Sequence, residues 1–211
     1  MPMKTNEREY RDFTLAVVEL ASEEGVEERK IVSGYASVFN TPYTLYEDDE
    51  VVIQEQVDSK AFDNADMSDV IFQYNHEGRV FARVSNNTLR VMPDENGLSI
   101  EADLGGTDIG QGLYQEIKGG YTTKMSYGYT VRGAKWDESK LNDGRTLELR
   151  TVTEIGKVYD VSAVSIPANN ATNISVRNLS DGVIEQIKAE RLKALELERK
   201  KLQTRMRLGG F

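Results

Sequence analysis

Apolar positions along this chain recur mostly with the period of a half-buried β-strand. The stretches Phe13 to Leu20 and Ile31 to Phe39 are apolar and β-prone, with an acidic, Gly-containing turn at Ser22 to Glu28 between them, and together they predict an opening hairpin. Asn40-Thr41-Pro42-Tyr43 breaks the second strand. The acidic run Glu47-Asp48-Asp49-Glu50 precedes a third strand at Val51-Val52-Ile53, and Asp58-Ser59 reads as the cap of a short helical turn that reaches Ala65.

From Val70 the pattern sharpens. Val70-Ile71-Phe72-Gln73-Tyr74 predicts a short buried strand that delivers Asn75-His76-Glu77-Gly78 at its end. Three β segments follow, Arg79 to Val84, Thr88 to Met92 and Gly97 to Leu104, parted by the turn sequences Asn86-Asn87 and Asp94-Glu95-Asn96-Gly97, which predicts an antiparallel meander. The spacing of Ile109, Leu113 and Ile117 after a Thr107-Asp108 cap predicts a helix ended by Gly119-Gly120. That helix leads into Lys124-Met125-Ser126-Tyr127-Gly128-Tyr129. Strand alternation there sets Met125, Tyr127 and Tyr129 on one face and Ser126, Gly128 and Thr130 on the other.

After a polar excursion from Asp137 to Arg145, turning at Asn142-Asp143-Gly144, β patterning resumes at Thr146 to Glu154 and at Lys157 to Ile166, closed by Pro167-Ala168-Asn169-Asn170-Ala171. Beyond a Ser180-Asp181 cap, residues 183–208 are rich in Glu, Lys, Arg, Leu and Ala and predict a helix. Its apolar heptad is broken at Lys188 and Arg199, which favours a helix that packs weakly or on a partner over a coiled coil.

Composition changes this picture in three ways. With 211 residues the chain has room for one ordinary domain and an appendage, and we divide it into a body, 1–181, and a basic helical tail, 182–211. The net charge of −9 is split, with eight basic against four acidic side chains in the tail and −13 left for the body. That body disfavours nucleic acid as a partner, and leaves such contacts, or docking on an acidic partner, to the tail. No apolar run approaches the roughly 18 to 20 residues that span a bilayer, and the N-terminal residues lack the apolar segment of a signal peptide, so the reading is a soluble protein made in the cytoplasm with no membrane partner.

Candidate chemistry is narrow. The chain has no cysteine and one histidine, His76, which removes thiolate chemistry and any metal site built on two histidines, and no cofactor is expected. Ser126 stands beside a position with no side chain, Gly128, which leaves room for a substrate. A strand serine is ordinarily just a polar position, as a lone histidine is ordinarily a loop residue. As a pair, however, they are the two parts a serine nucleophile needs, because the hydroxyl is a poor nucleophile until a base takes its proton. Lys124 stands where a Gly-x-Ser-x-Gly elbow needs its first glycine, which argues against an α/β-hydrolase.

In order along the chain, Gly34-Tyr35-Ala36-Ser37-Val38-Phe39-Asn40, Lys60-Ala61-Phe62-Asp63, Asn75-His76-Glu77, Met125-Ser126-Tyr127-Gly128-Tyr129 and Tyr159-Asp160-Val161-Ser162-Ala163-Val164-Ser165-Ile166-Pro167-Ala168-Asn169 resemble the prohead, or capsid maturation, proteases of tailed bacteriophages. The resemblance implies a mainly β, α+β fold like herpesvirus assemblin: an antiparallel β-barrel surrounded by helices, here with a C-terminal charged helix. It implies a serine endopeptidase that cleaves scaffold and major capsid protein, and itself, inside the procapsid, with self-association left open. By residue it implies Ser126 as nucleophile, His76 as general base and Asp160, where the family more often has glutamate, as the orienting acid. Glu148 and Glu154 compete for that third role, and Glu77 is a further local partner for His76. The resemblance also points to Ala168 and Asn169 as oxyanion donors. The alternative is an inactive assemblin-fold module acting in head assembly or scaffolding.

Overall fold

The structure, a computed structural model, describes residues 9–17, 29–165 and 181–207. Its strands are β1 (Glu9–Val17), β2 (Ile31–Val38), β3 (Tyr43–Glu47), β4 (Val51–Val57), β5 (Ile71–Tyr74), β6 (Glu77–Arg83), β7 (Leu89–Pro93), β8 (Gly97–Asp103), β9 (Lys124–Lys140) and β10 (Thr146–Val164). Two α-helices accompany them, α1 (Asp108–Lys118) and α2 (Asp181–Arg207). Among the described residues no helix is long and apolar enough to cross a membrane.

The strands hydrogen-bond in the order β3-β4-β10-β9-β1-β2-β8-β7, with β5 pairing β10 and β6. The class is mainly β with few helices, as expected. The closed barrel is not found, because the order is an open path that ends at β3 and β7. Nor is the pairing wholly antiparallel: β10 runs parallel to β4 along Thr146 to Val152 and parallel to β5 along Asp160 to Ala163. A single strand of 19 residues is long enough to take both neighbours on one edge while β9 covers the other.

The link between β4 and β5 fills the rest of that edge. Asp58 N donates to Val152 O, Ile155 N to Ala61 O, Asp66 N to Gly156 O and Val158 N to Asp66 O, each at 2.8 to 3.0 Å. The helical turn predicted after Asp58 takes the form of successive turns, in which Ala61 N donates to Asp58 O, Asp63 N to Lys60 O and Ala65 N to Phe62 O. Asp66 is also held to Lys157 Nζ at 2.9 Å, and Asp69 makes a two-pronged contact with Arg83 of β6. This link fixes where β5 and β6 begin.

The opening hairpin forms between β1 and β2. The three-stranded meander does not form: β7 pairs antiparallel with β8, but β6 pairs with β5, so the turn after Val84 carries the chain from one strand neighbourhood to another. Helix α1 begins where its cap predicts: Thr107 Oγ1 accepts from Gly110 N at 3.1 Å. Leu113, Tyr114 and Ile117 of α1 join a core built on Val32, Ala36, Phe72, Leu98, Ile100, Met125, Tyr127, Tyr129, Val158 and Val161. Phe39, Phe62, Tyr127 and Tyr129 make a continuous aromatic row, the two tyrosines stacked at 4.5 Å between centroids. Burying rings of this size on one face of β9 holds that strand firmly.

A buried ion pair lies near the start of β10. Arg150 and Glu55 are register partners, 1% and 0% exposed, and they form an ion pair. Tyr43 also reaches Glu55, as does Tyr129 at 3.3 Å. Arg150 Nη2 meets Glu190 of α2 at 2.9 Å, Arg191 is buried over Trp136, and Ile187 packs with Leu45 and Ile53. The first part of α2 is therefore seated on the sheet, while Leu192, Leu195, Leu197 and Leu202 face out.

Replacing Arg150 by Met should lower stability by about 3 to 5 kcal/mol, because it strands the Glu55 charge, and Glu55→Gln in the same chain should restore most of the loss. Urea denaturation of the single and double variants checks this. A separate dependence on pH follows from Asp69, whose carboxyl is held down to about 2 by its hydrogen bonds from Arg83 and then Ser85. An acid depressed in the folded state stabilises it above the unfolded value of about 4 and loses that effect as pH falls toward 2. The melting temperature of Asp69→Asn should accordingly lie below wild type at pH 6, and the gap should close by about pH 2.

Candidate active site

The register of β9 against β10 decides which side chains meet. Ser126 pairs with Ser162, Tyr127 with Val161 and Gly128 with Asp160, yet Tyr129 pairs with Val158. One step along β9 matches two along β10, so Tyr159 is the extra residue of a β-bulge. Without it, alternation from the core residue Val158 would point Asp160 into the core; the bulge resets the phase by one residue. Val158 and Val161 are consequently both in the core, and Asp160 shares the face of Ser162, Ser126 and Gly128. Directly opposed Cβ atoms lie roughly 4.5 to 5.5 Å apart, so a side chain at 128 would stand against the Asp160 carboxylate.

His76 arrives from a different edge. It is the second residue of a two-residue loop joining β5 to β6, in which Tyr74 pairs with Glu77. Asn75 and His76 have φ of 51° and 59°, the left-handed pair required by a type I′ hairpin turn. Asparagine and histidine are among the non-glycine residues that enter that region, yet it still costs energy, and the surroundings hold the turn in it. Asn75 N donates to Ala163 O at 2.9 Å, and Ser165 N donates to Asn75 Oδ1 at 3.0 Å. The turn is therefore clamped to the end of β10.

From this turn the imidazole reaches Asp160, with His76 Nδ1 2.5 Å from Asp160 Oδ1. The Asp160 side chain is 2% exposed and the His76 side chain 18%. A buried carboxylate must be compensated by donors, and Oδ1 has two, His76 Nδ1 and Ser162 Oγ at 3.0 Å. That arrangement puts the imidazole proton on Nδ1 and leaves the lone pair on Nε2, the tautomer a general base requires. Ser126 Oγ is buried and, among the described residues, makes no hydrogen bond. No hydrogen bond therefore joins it to His76.

Of the sequence-predicted residues, His76 and Asp160 are in contact, and Ser126 lies on the Asp160 face one strand away. Glu148 and Glu154 are not brought to the site. Glu148 is twelve positions back along β10, on the order of 40 Å of strand, and faces Arg191 at 3.8 Å. Glu154 is exposed opposite Gly133, and Glu77 is exposed on β6. Ala168 and Asn169 lie outside the described residues. Among the described residues no cluster of three or more His, Cys, Asp or Glu side chains could hold a metal. What sequence reasoning passed over is Ser162. Its signal was available, since Asp160-Val161-Ser162 puts two polar groups on one face of an otherwise apolar strand.

The family model for the caudovirus prohead serine protease matches residues 16–187, well over half the chain. The chain belongs to that family. The prohead protease match takes in His76, Ser126 and Asp160 and ends at Ile187, where α2 is seated on the sheet. Among solved structures this prohead protease family member is similar to the bacteriophage T4 capsid assembly protease, at 12% identity and a TM-score of 0.47, with 76% of this chain and 98% of that chain covered. No curated protein sequence matches it.

Because His76 is held at positive φ, substitution there separates backbone strain from side-chain contacts. His76→Gly should be more stable than His76→Ala by about 1 kcal/mol, since both lose the contact with Asp160 but only alanine keeps the strain. Denaturant titration of the two variants measures the difference, and equal stabilities would show that the turn at residue 76 stores none.

Proposed function

We propose that this chain is a serine endopeptidase of phage procapsid maturation that cleaves scaffold and major capsid protein, and its own chain, inside the assembling shell. The observation that carries the reading is the buried His76–Asp160 contact at 2.5 Å on the sheet face that bears Ser126. Ser126 Oγ attacks the carbonyl carbon of the scissile bond as His76 Nε2 takes its proton, and Asp160 stabilises the imidazolium through Nδ1–H. The tetrahedral intermediate collapses as His76 returns the proton to the leaving amine. Water, activated by the same imidazole, then hydrolyses the acyl-enzyme and frees Ser126. The backbone N–H groups of Ala168 and Asn169 are assigned to the oxyanion. No cofactor enters these steps.

The placement of Ser126 supports its role independently of His76. Its strand is fixed by Met125, Tyr127 and Tyr129, all 0% exposed, so the hydroxyl is presented from a rigid element. The helix α2, docked through Ile187, Glu190 and Arg191, leaves Leu192, Leu195 and Leu202 exposed on one side, suited to packaging the enzyme with capsid or scaffold chains.

The test is co-expression with capsid and scaffold chains, read by mass spectrometry of the termini produced. Ser126→Ala and His76→Ala should each reduce cleavage by at least about a thousandfold, and Asp160→Asn, which favours the wrong imidazole tautomer, by a comparable factor. A serine-reactive phosphonate should label wild type and not Ser126→Ala. Undiminished processing by both Ser126→Ala and His76→Ala would instead identify a silent assembly module.

A further inference from the structure

Two serines face one another across β9 and β10, and they are not equivalent. Ser126 and Ser162 are register partners on the same face, both buried, at 1% and 0% exposure. The Ser162 hydroxyl donates to Asp160 Oδ1 at 3.0 Å, whereas the Ser126 hydroxyl makes no hydrogen bond among the described residues. A hydroxyl has one proton to give. With that proton committed to a buried carboxylate, Ser162 has none to pass to a base; Ser126 does.

We infer that Ser162 is a positioning residue for the His76–Asp160 pair, a fourth member of the constellation that acts on the imidazole through the carboxylate. This rests on the catalytic reading above and extends it. Asp160 on a strand is free to turn about its side-chain bonds, and a single contact with His76 would leave two rotating groups to hold each other. Ser162, two residues along the same strand, is fixed relative to the Asp160 backbone and pins Oδ1. It fixes the carboxylate orientation, and through it the imidazole plane and the direction of Nε2. It has a second effect, because a donor on Oδ1 withdraws electron density from the oxygen that accepts the His76 proton. Hydrogen bonds to a charged group are the strong ones, so both effects are large enough to measure.

The lone histidine makes the test clean, since every imidazole signal in an NMR spectrum belongs to His76. In Ser162→Ala the Nδ1–H proton resonance should move, as Oδ1 loses its competing donor, and kcat should fall about tenfold with KM within about twofold. Ser162→Thr, which keeps the hydroxyl, should retain the wild-type resonance and most of kcat. Ser162→Val, the same shape without it, should behave as the alanine variant, so crowding by the extra methyl is controlled. Phosphonate labelling should persist in Ser162→Ala. An unmoved Nδ1–H resonance in Ser162→Ala, or equal kcat in the threonine and valine variants, overturns the inference while Ser126→Ala stays inactive. Cleavage surviving Ser126→Ala would instead overturn the catalytic reading, and the resonance would still report whether Ser162 organises the pair.

Discussion

The candidate site depends on one irregularity in one pair of strands. If β10 followed ideal alternation past Val158, Asp160 would face the core beside Tyr127, where an unpaired carboxylate is costly and of no use to chemistry. The extra residue Tyr159 rotates everything that follows by one position, so the acid moves to the polar face and the next apolar residue, Val161, returns to the core. The same residue-by-residue phase that fills the core thus also delivers the acid. Gly128, opposite Asp160, completes the arrangement by adding no side chain.

Strand β10 carries two buried acid-dependent sites, and each is satisfied differently. Near its start, Arg150 and Glu55 neutralise one another across parallel strands, with two tyrosine hydroxyls and Glu190 of α2 taking up further bonding capacity. Ten residues on, Asp160 meets no Lys or Arg among the described residues. It is held by a hydroxyl and by an imidazole. A fixed ion pair suits the place where a helix is seated on the sheet, while a hydroxyl beside an imidazole suits the proton transfer of the proposed mechanism.

Much of this was legible in the residues, for reasons that also explain what was not. The alternation of Met125, Tyr127 and Tyr129 against Ser126 and Gly128 reads correctly because one face is fully apolar. Helix α1 reads correctly because cap, spacing and terminator agree. The outer end of β9 does not: Asp137 to Lys140 are exposed on both faces of a ladder that has run past the core, so no burial pattern marks them as strand, although their partner segment from Thr146 reads as β. The bulge is equally silent, since neither glycine nor proline stands at Tyr159. The turn at Asn75 is half visible. Asparagine is the residue expected at its first position, but a histidine occupies the second, where glycine is the usual signal. That local rule is broken at the residue to which the proposed mechanism assigns the general base, as is expected where function and propensity compete.

Position in this site is therefore set by β10 alone, through both of its edges. Its antiparallel edge fixes Ser126 relative to Asp160, by the pairing of Ser126 with Ser162 and Gly128 with Asp160. Its parallel edge fixes β5 by the pairing of Ile71 with Asp160, and Ala163 and Ser165 then clamp the turn that carries His76. Backbone hydrogen bonds thus determine where all three groups start, and none of the three relies on a long flexible loop. What remains adjustable is side-chain rotation. Asp160 has two partners to stop it, and His76 has a strained turn behind it and a carboxylate in front. The group left without a hydrogen bond among the described residues is the Ser126 hydroxyl, which in the proposed mechanism is the group that must change partners, from proton acceptor to substrate carbon.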